Sequence, residues 1–345
     1  MQKEKIMDIH ELNLQGYHRV IEAIDTDFHA IVCIHNINLG PALGGCRVTQ
    51  YKDRDEHLRD ALRLGTGMTY KNALAGLNMG GGKAAINAPK ATNEVLEKFA
   101  KVMDYINQDS VEYITAGDVG TGPNEVAYLG TLTEFVNGQQ LGQDSGYATA
   151  YGVYMSMIGA LKFHNRELRK QQIFIEGLGK VGMRLTKFLK NDAKTVYTFD
   201  PEPSVSRTAM TVHNAVLLPT RDAGFRYSTV YSPCALGGSL NIETLDLLSP
   251  GDIVCGGANN IFSTDIADVQ FAGKGITVVP DFLANAGGVI IVSNGYQDAE
   301  WDDPAILEKL RQLQFTTHDV LYRARDEKHT PMFIAKKMAE EIFNS

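Results

Sequence analysis

The sequence predicts an α/β fold in two domains, the second a doubly wound parallel sheet. Three observations carry this. The 345 residues exceed what one typical core holds. Past residue 145, short apolar runs closed by Gly, Asn or Asp alternate with helical stretches, the pattern of buried parallel strands joined by helices. One strand–turn–helix junction carries three glycines at the spacing of a phosphate-binding turn.

In chain order, "HAIVCIHNINL" from His29 is rich in β-branched residues and runs into the turn signals "GPALGG", so it reads as a strand. "DEHLRDALRLGTGMTYKNAL" spaces Leu58, Ala61, Leu62 and Met68 as a helix, with Lys71 near its end. "NEVLEKFAKVMDYINQ" reads as a helix with Asn93 as N-cap, and Glu94 and Glu97 suit its positive end. "ATAYGVYMSMIGALKF" is apolar enough for a buried helix. "QQIFIEGLGKVGMRLTKFLKND" follows strand, glycine turn, helix, and "KTVYTFD", "GDIVCGGANN" and "GITVVPDFLANAGG" add short strands. Asp303-Pro304 starts a helix with Ile306, Leu310, Leu313 and Leu321 at helical spacing. Thr330-Pro331 starts a last one with Ile334, Met338 and Ile342 on one side. A terminal helix this apolar must dock, and the first domain is its expected partner. The expected bounds are 1–143, with 328–345 returning, and 144–327, with hinges near 140–150 and 325–330.

A net charge of −8 argues against a uniformly basic nucleic-acid surface. No run of 18 apolar residues suggests a membrane span, and "MQKEKIMDIHELN" lacks the apolar core of a signal peptide. Cys33, Cys46, Cys234 and Cys255 are scattered without C-x-x-C, which suits reduced thiols in a cytoplasmic protein. None of the nine histidines falls in H-E-x-x-H, and no metal site is expected.

Gly177-Leu178-Gly179-Lys180-Val181-Gly182 matches G-x-G-x-x-G, follows the strand "IFIE" and opens a helix. A second strand, "TVYTF", ends in Asp200, 23 residues after Gly177. This is the context of a dinucleotide fingerprint: Gly177 for the turn, Gly179 for close approach of the pyrophosphate, Gly182 for helix–strand packing. Asp200 is placed to accept the ribose hydroxyls, and with Glu202 it would repel a 2′-phosphate, so NAD is expected rather than NADP. "GGGK" at Gly80–Lys83 is not a phosphate loop: that motif needs Gly at Leu77 and Ser or Thr at Ala84.

"GPALGGCR", "GMTYKNALAGLNMGGGK", "AGDVGT", "TAYGV", "GLGKVG", "PCALGG", "GGANN" and "NAGGV" occur in this order between about residues 29 and 292. Together they resemble the amino-acid dehydrogenases that act on glutamate, leucine, phenylalanine and valine. Cys46, where leucine enzymes usually have Thr, and "SNGYQDAEWDD" after Val292 depart from the branched-chain pattern. The resemblance implies oxidative deamination of an L-amino acid with NAD, an N-terminal substrate domain, a Rossmann-type NAD-binding domain, a cleft between them, and a homo-oligomer. By motif match Lys83 and Asp118 are the catalytic candidates, and Lys71 is the partner of the substrate carboxylate with Gly44 and Gly45 beside it. The motif matches put Leu43, Met68, Ala116, Val289 and Val292 in the substrate pocket. Thr149, Cys234, Ala235, Ala258, Asn259 and Asn260 match cofactor contacts, and Asn285 matches both sets. Glutamate enzymes carry Lys where Leu43 stands and Ser where Val292 stands, so the resemblance points to an apolar substrate: leucine, isoleucine or valine first, phenylalanine or another large apolar amino acid second. A non-catalytic NAD-binding regulator would lack Lys83 or Asp118, and both are present.

Overall fold

The computed structural model describes residues 7–138, 145–293 and 302–345, so part of the expected 140–150 hinge and most of the atypical segment after Val292 lie outside the described residues. Contacts divide the chain into Met1–Gln143 with Ile291–Glu300 and Ala339–Ser345, and Asp144–Ile290 with Trp301–Met338. The division therefore falls inside the last helix, where the sequence reading returned 328–345 whole to the first domain.

The first unit runs β1 (Asp8–Glu11), β2 (Arg19–Asp25), β3 (Phe28–Asn36), β4 (Ala42–Thr49), α1 (Arg54–Leu74), β5 (Gly80–Asn87), α2 (Asn93–Ile106), β6 (Tyr113–Gly117) and α3 (Pro123–Leu129). Its sheet has the order β1-β2-β3-β5-β4-β6, antiparallel as far as β5 and parallel from β5 through β4 to β6. Strand alternation divides the apolar residues between two faces. Ile31, Cys33 and Ala85 pack with Ala61 of α1, while Val32, Ile34, Ala84 and Ile86 pack with Leu96, Phe99 and Met103 of α2. Thr92, not Asn93, caps α2: its backbone is extended and its hydroxyl accepts from Val95 N–H, while Asn93 is already helical.

The second unit begins with α4 (Gly146–Phe163), β7 (Gln172–Glu176), α5 (Gly182–Leu189), β8 (Thr195–Phe199), α6 (Pro203–His213), β9 (Val216–Leu217), α7 (Arg221–Tyr227) and β10 (Val230–Pro233). There follow α8 (Ile242–Leu247), β11 (Ile253–Val254), α9 (Ala267–Gly273), β12 (Thr277–Val278), α10 (Asp281–Ala284), α11 (Gly287–Ser293), α12 (Pro304–Glu327) and α13 (Pro331–Phe343). All pairings in its sheet are parallel, in the order β12-β11-β10-β7-β8-β9. The chain order therefore reverses between β7 and β10, the place where open α/β sheets bind ligands. Val153, Met157 and Ala160 of α4 pack with Ile173 and Ile175 of β7. On its other side α4 meets α12 nearly backbone to backbone: a Cβ at Gly159 would lie 2.3 Å from the Gln314 carbonyl oxygen. Asp303 caps α12 through Ala305 N–H, and Thr330 caps α13 through Phe333 N–H. In α13 the buried line is Ala335, Ala339 and Phe343 beside Ile334, and Ile342 is 38% exposed rather than buried as expected. Among the described residues, no helix is long and apolar enough to cross a membrane.

Candidate active site

The glycine run opens β5 because main chain crowds it from three directions. A Cβ at Gly80 would lie 2.1 Å from the Asn36 carbonyl oxygen, one at Gly81 2.0 Å from Thr69 N of α1, and one at Gly44 1.7 Å from the Gly82 carbonyl oxygen. Lys83 leaves a strand held this tightly. Its Cα pairs with Cys33 of β3, only 5% of the residue is exposed, and its Nζ lies 2.8 Å from Asp118 Oδ2.

Asp118 follows β6 in a tight turn. Its N–H donates to Thr121 Oγ1 (2.9 Å) and Thr121 N–H donates to the Asp118 carbonyl (3.0 Å). Gly120 within that turn has φ +81°, and a Cβ there would lie 2.1 Å from the Val48 carbonyl oxygen, so the glycine is required twice over. Gly45 clears the other side: its Cβ would sit 2.6 Å from the Gly117 carbonyl oxygen and 2.9 Å from Asp118 Cβ. Tyr113, fully buried, donates its hydroxyl to the Gly44 carbonyl at 2.6 Å.

Four residues outside the list of site candidates, Arg47, Tyr51, Asp60 and Arg63, complete this cluster. Arg47 Nε lies 3.1 Å from Asp118 Oδ2, the same oxygen that Lys83 engages. Arg47 Nη1 reaches Asp60 Oδ2 at 3.0 Å, and Asp60 also accepts from Tyr51 Oη (2.9 Å) and Arg63 Nη2 (2.8 Å). Burial pushes the Asp118 pKa up, but the charges of Lys83 and Arg47 outweigh it and hold the carboxyl below its usual range. Burial pushes the Cys46 thiol strongly up, which removes it as a nucleophile. The signal for Arg47 was its register, two residues beyond Gly45 on the same strand and so on the same face.

The remaining candidates of this unit sit on α1 and the strands beside it. Asn72 Nδ2 donates to the carbonyls of Leu43 (3.2 Å) and Gly80 (2.6 Å) and bolts α1 to β4 and β5. Met68 Cγ lies 3.3 Å from the place a Gly44 Cβ would take, and Lys71 is one turn further along α1, partly exposed. Leu43 and Ala116 are buried, and Ala116 pairs with Gly45. The division between the units falls within α11, which carries Val289 before it and Val292 after it, both part-exposed, and the Val292 carbonyl accepts from Asn137 Nδ2 at 3.2 Å.

In the second unit the loops after β7 and β10 lie side by side. Gly177 has φ +88°, and a Cβ there would meet Ala235 N at 2.8 Å and Ala235 Cβ at 2.7 Å. Cys234 N–H donates to the Glu176 carbonyl, and Ala258 N–H donates to the Pro233 carbonyl. Gly182 lies so close that its Cβ would be 1.9 Å from the Gly177 carbonyl oxygen, whereas Gly179, exposed like Lys180, faces open space. Val181 packs on Gly257. Asp200 accepts from Leu178 N–H (2.7 Å) and Glu202 N–H (2.9 Å), which points its carboxylate at the glycine turn. Asn285 Nδ2 donates to Asn259 Oδ1 at 2.7 Å, while its Oδ1 is buried and has no hydrogen-bond partner among the described residues. Asn260, left-handed at φ 51°, accepts from Gly238 N–H. Thr149 Oγ1 donates to the Ser145 carbonyl and lies 2.8 Å from the place of a Gly288 Cβ. Open space over Gly179, a carboxylate ending the second strand and an unmatched buried amide oxygen fit a nicotinamide dinucleotide.

Family models describe residues 19–134 as a Glu/Leu/Phe/Val dehydrogenase dimerisation domain and residues 207–342 as a glutamate/leucine/phenylalanine/valine dehydrogenase. The chain is 33% identical to a valine dehydrogenase of Streptomyces albus over 94% of this chain and 92% of that one. It is 34% identical to a leucine dehydrogenase of Bacillus subtilis, covering 90% and 86%. The crystal structure of L-tryptophan dehydrogenase from Nostoc punctiforme superposes with a TM-score of 0.84 at 28% identity, covering 95% of this chain and 96% of that one. The chain belongs to the Glu/Leu/Phe/Val dehydrogenase family, oxidoreductases that act on the CH–NH2 group of amino acids and use a nicotinamide cofactor.

Proposed function

We propose that the protein catalyses the reversible, NAD-dependent oxidative deamination of an apolar L-amino acid to the 2-oxo acid and ammonium, with leucine, isoleucine or valine preferred. The observation that carries this reading is the buried Lys83 ammonium 2.8 Å from Asp118 Oδ2. Bound NAD supplies the acceptor for the hydride that leaves Cα. Lys71 pairs with the substrate carboxylate. Asp118 takes and returns protons at the substrate nitrogen and offsets the positive charge that builds there. Lys83 orients the water that attacks the iminium carbon and exchanges a proton with Asp118. Leu43, Ala116, Val289, Val292 and Met68 offer no cation, so a glutamate side-chain carboxylate would stay unpaired at a cost of several kcal/mol, roughly. Asp200 favours the ribose hydroxyls of NAD over a 2′-phosphate, and the unmatched Asn285 Oδ1 supports a ligand donor at that position.

A large aromatic substrate is the second reading, favoured by the likeness to the tryptophan enzyme. One methylene changes selection by about 1–3 kcal/mol, so a graded series is expected. Initial rates with the twenty amino acids decide between the two, and phenylalanine or tryptophan outpacing leucine reverses the preference. Lys83→Ala is expected to abolish NADH formation and leave NAD binding intact; turnover retained in that variant refutes the lysine's role. The first family model's description as a dimerisation domain supports a homo-oligomer, and four free cysteines support a reducing, cytoplasmic setting.

A further inference from the structure

Lys83 and Asp118 do not stand alone in the fold. Both cations near the carboxylate engage one oxygen, Oδ2, from two different strands: Lys83 from β5 and Arg47 from β4. Arg47 is anchored in turn by Asp60 of α1, which also holds Tyr51 and Arg63. A guanidinium donates in a rigid planar fork, so one prong on Asp60 fixes the direction of the other prong on Asp118. A lysine at 47 could supply the charge but not the fork. The groups that touch the Asp118 carboxylate are Lys83 and Arg47, with Asp60 and Tyr51 behind Arg47, and the buried Cys46 and Tyr113 are near enough to feel its charge.

We propose that Arg47 is a positioning residue for Asp118, clamping its carboxylate over Lys83, and that Asp60 and Tyr51 hold the clamp in place. This rests on the catalytic reading of Asp118 above. The clamp acts through charge as well as direction, so losing the cation should move the acid limb of the pH–kcat/KM profile up, and losing its anchor should move it up by less. Arg47→Gln removes a cation and should shift that limb up by about one pH unit. Arg47→Lys should return the limb at least halfway while leaving kcat depressed, because the fork is gone. Asp60→Asn leaves Arg47 charged but unanchored, so the limb should move up by less than in Arg47→Gln while kcat falls. General damage to the fold lowers kcat without moving the limb in this graded way.

The test is the full pH profile of kcat/KM for the three variants, with NAD affinity measured separately and expected unchanged. A folded Arg47→Gln enzyme whose acid limb stays in place overturns the clamp. Should Arg47→Gln fail to fold, Asp60→Asn decides: a raised limb supports the clamp, and an unmoved or lowered one overturns it. Asp118→Asn separates the two levels. If it is inactive while the Arg47→Gln limb is unmoved, only the clamp falls. If it keeps wild-type turnover and limb, the catalytic reading of Asp118 falls and takes the clamp with it.

Discussion

Gly45→Ala isolates how closely the catalytic candidates are fitted. The added methyl would stand 2.6 Å from the Gly117 carbonyl oxygen and 2.9 Å from Asp118 Cβ. Ordinary contact needs about 3.4 Å or more, so the turn after β6 must retreat by roughly 0.5–0.8 Å. Neither obstacle is the free end of a flexible side chain: one is main chain in the sheet and the other is the root of the Asp118 side chain. Overpacking of this kind costs about 1–3 kcal/mol, which for a chain this long lowers Tm by roughly 2–6 °C. The larger effect falls on rate. Asp118 would move against a Lys83 that β3 and β4 hold still, and a displacement approaching 1 Å costs up to about 100-fold. The expected outcome is a folded enzyme with NAD affinity unchanged and kcat reduced roughly 10- to 100-fold. Circular dichroism melting, NAD titration and steady-state kinetics measure the three quantities. A variant with kcat within about threefold of wild type would mean that the sheet absorbs the methyl without moving Asp118, contrary to this expectation.

Two more predictions follow from charges outside that cluster. Glu22 is buried and accepts both Nε and Nη2 of Arg54, with His29 as a third partner. The Arg54 hydrogen bonds outweigh burial and hold its pKa at about 2 against an ordinary 4.5. A depressed carboxyl adds stability that is present above the unfolded pKa and lost as pH falls toward the folded one. With Arg54 nearly half-exposed to solvent, that contribution is worth about 1–2 kcal/mol. Glu22→Gln should therefore melt lower than wild type above about pH 5 and converge with it toward pH 2–3, and parallel melting curves across that window would contradict the pairing. Asp200→Ser removes the carboxylate that accepts from Leu178 and Glu202 N–H groups. It should lower kcat/KM with NAD roughly tenfold and raise it with NADP, and an unchanged cofactor ratio would remove Asp200 from cofactor choice.

What was legible in the sequence was local. Asp303-Pro304 and the apolar spacing after it are read from adjacent residues, and α12 starts where they say. The glycine fingerprint likewise sits between β7 and α5, because turn, strand and helix signals lie within one short stretch. Errors arise where a distant partner decides. Thr92 and Asn93 are both good caps, and only the extended backbone at Thr92 selects it. In α13 two lines of apolar residues compete, and what the helix docks on picks Ala335, Ala339 and Phe343 over Ile342. The ladders of β11 and β12 are two residues long, although the apolar runs that contain them are longer. The motifs marked Lys83 and Asp118 as candidates, but nothing local says that they touch, nor that Arg47 and Asp60 join them. Those contacts depend on β4 lying between β5 and β6, a parallel arrangement that no short window of residues encodes.

The crossing of α4 and α12 carries a consequence for how variation spreads. A Cβ at Gly152 would lie 3.1 Å from Leu313 Cδ1, and Gly159, two turns on, faces the Gln314 carbonyl. At Gly152 the neighbour is the end of a side chain, but at Gly159 it is main chain, which has no rotamers with which to give way, so a displacement there passes across the crossing. Thr149 lies on the same helix, within one turn of Gly152. A side chain introduced at position 159 would therefore push on Gln314 of α12 from the same helix that carries Thr149.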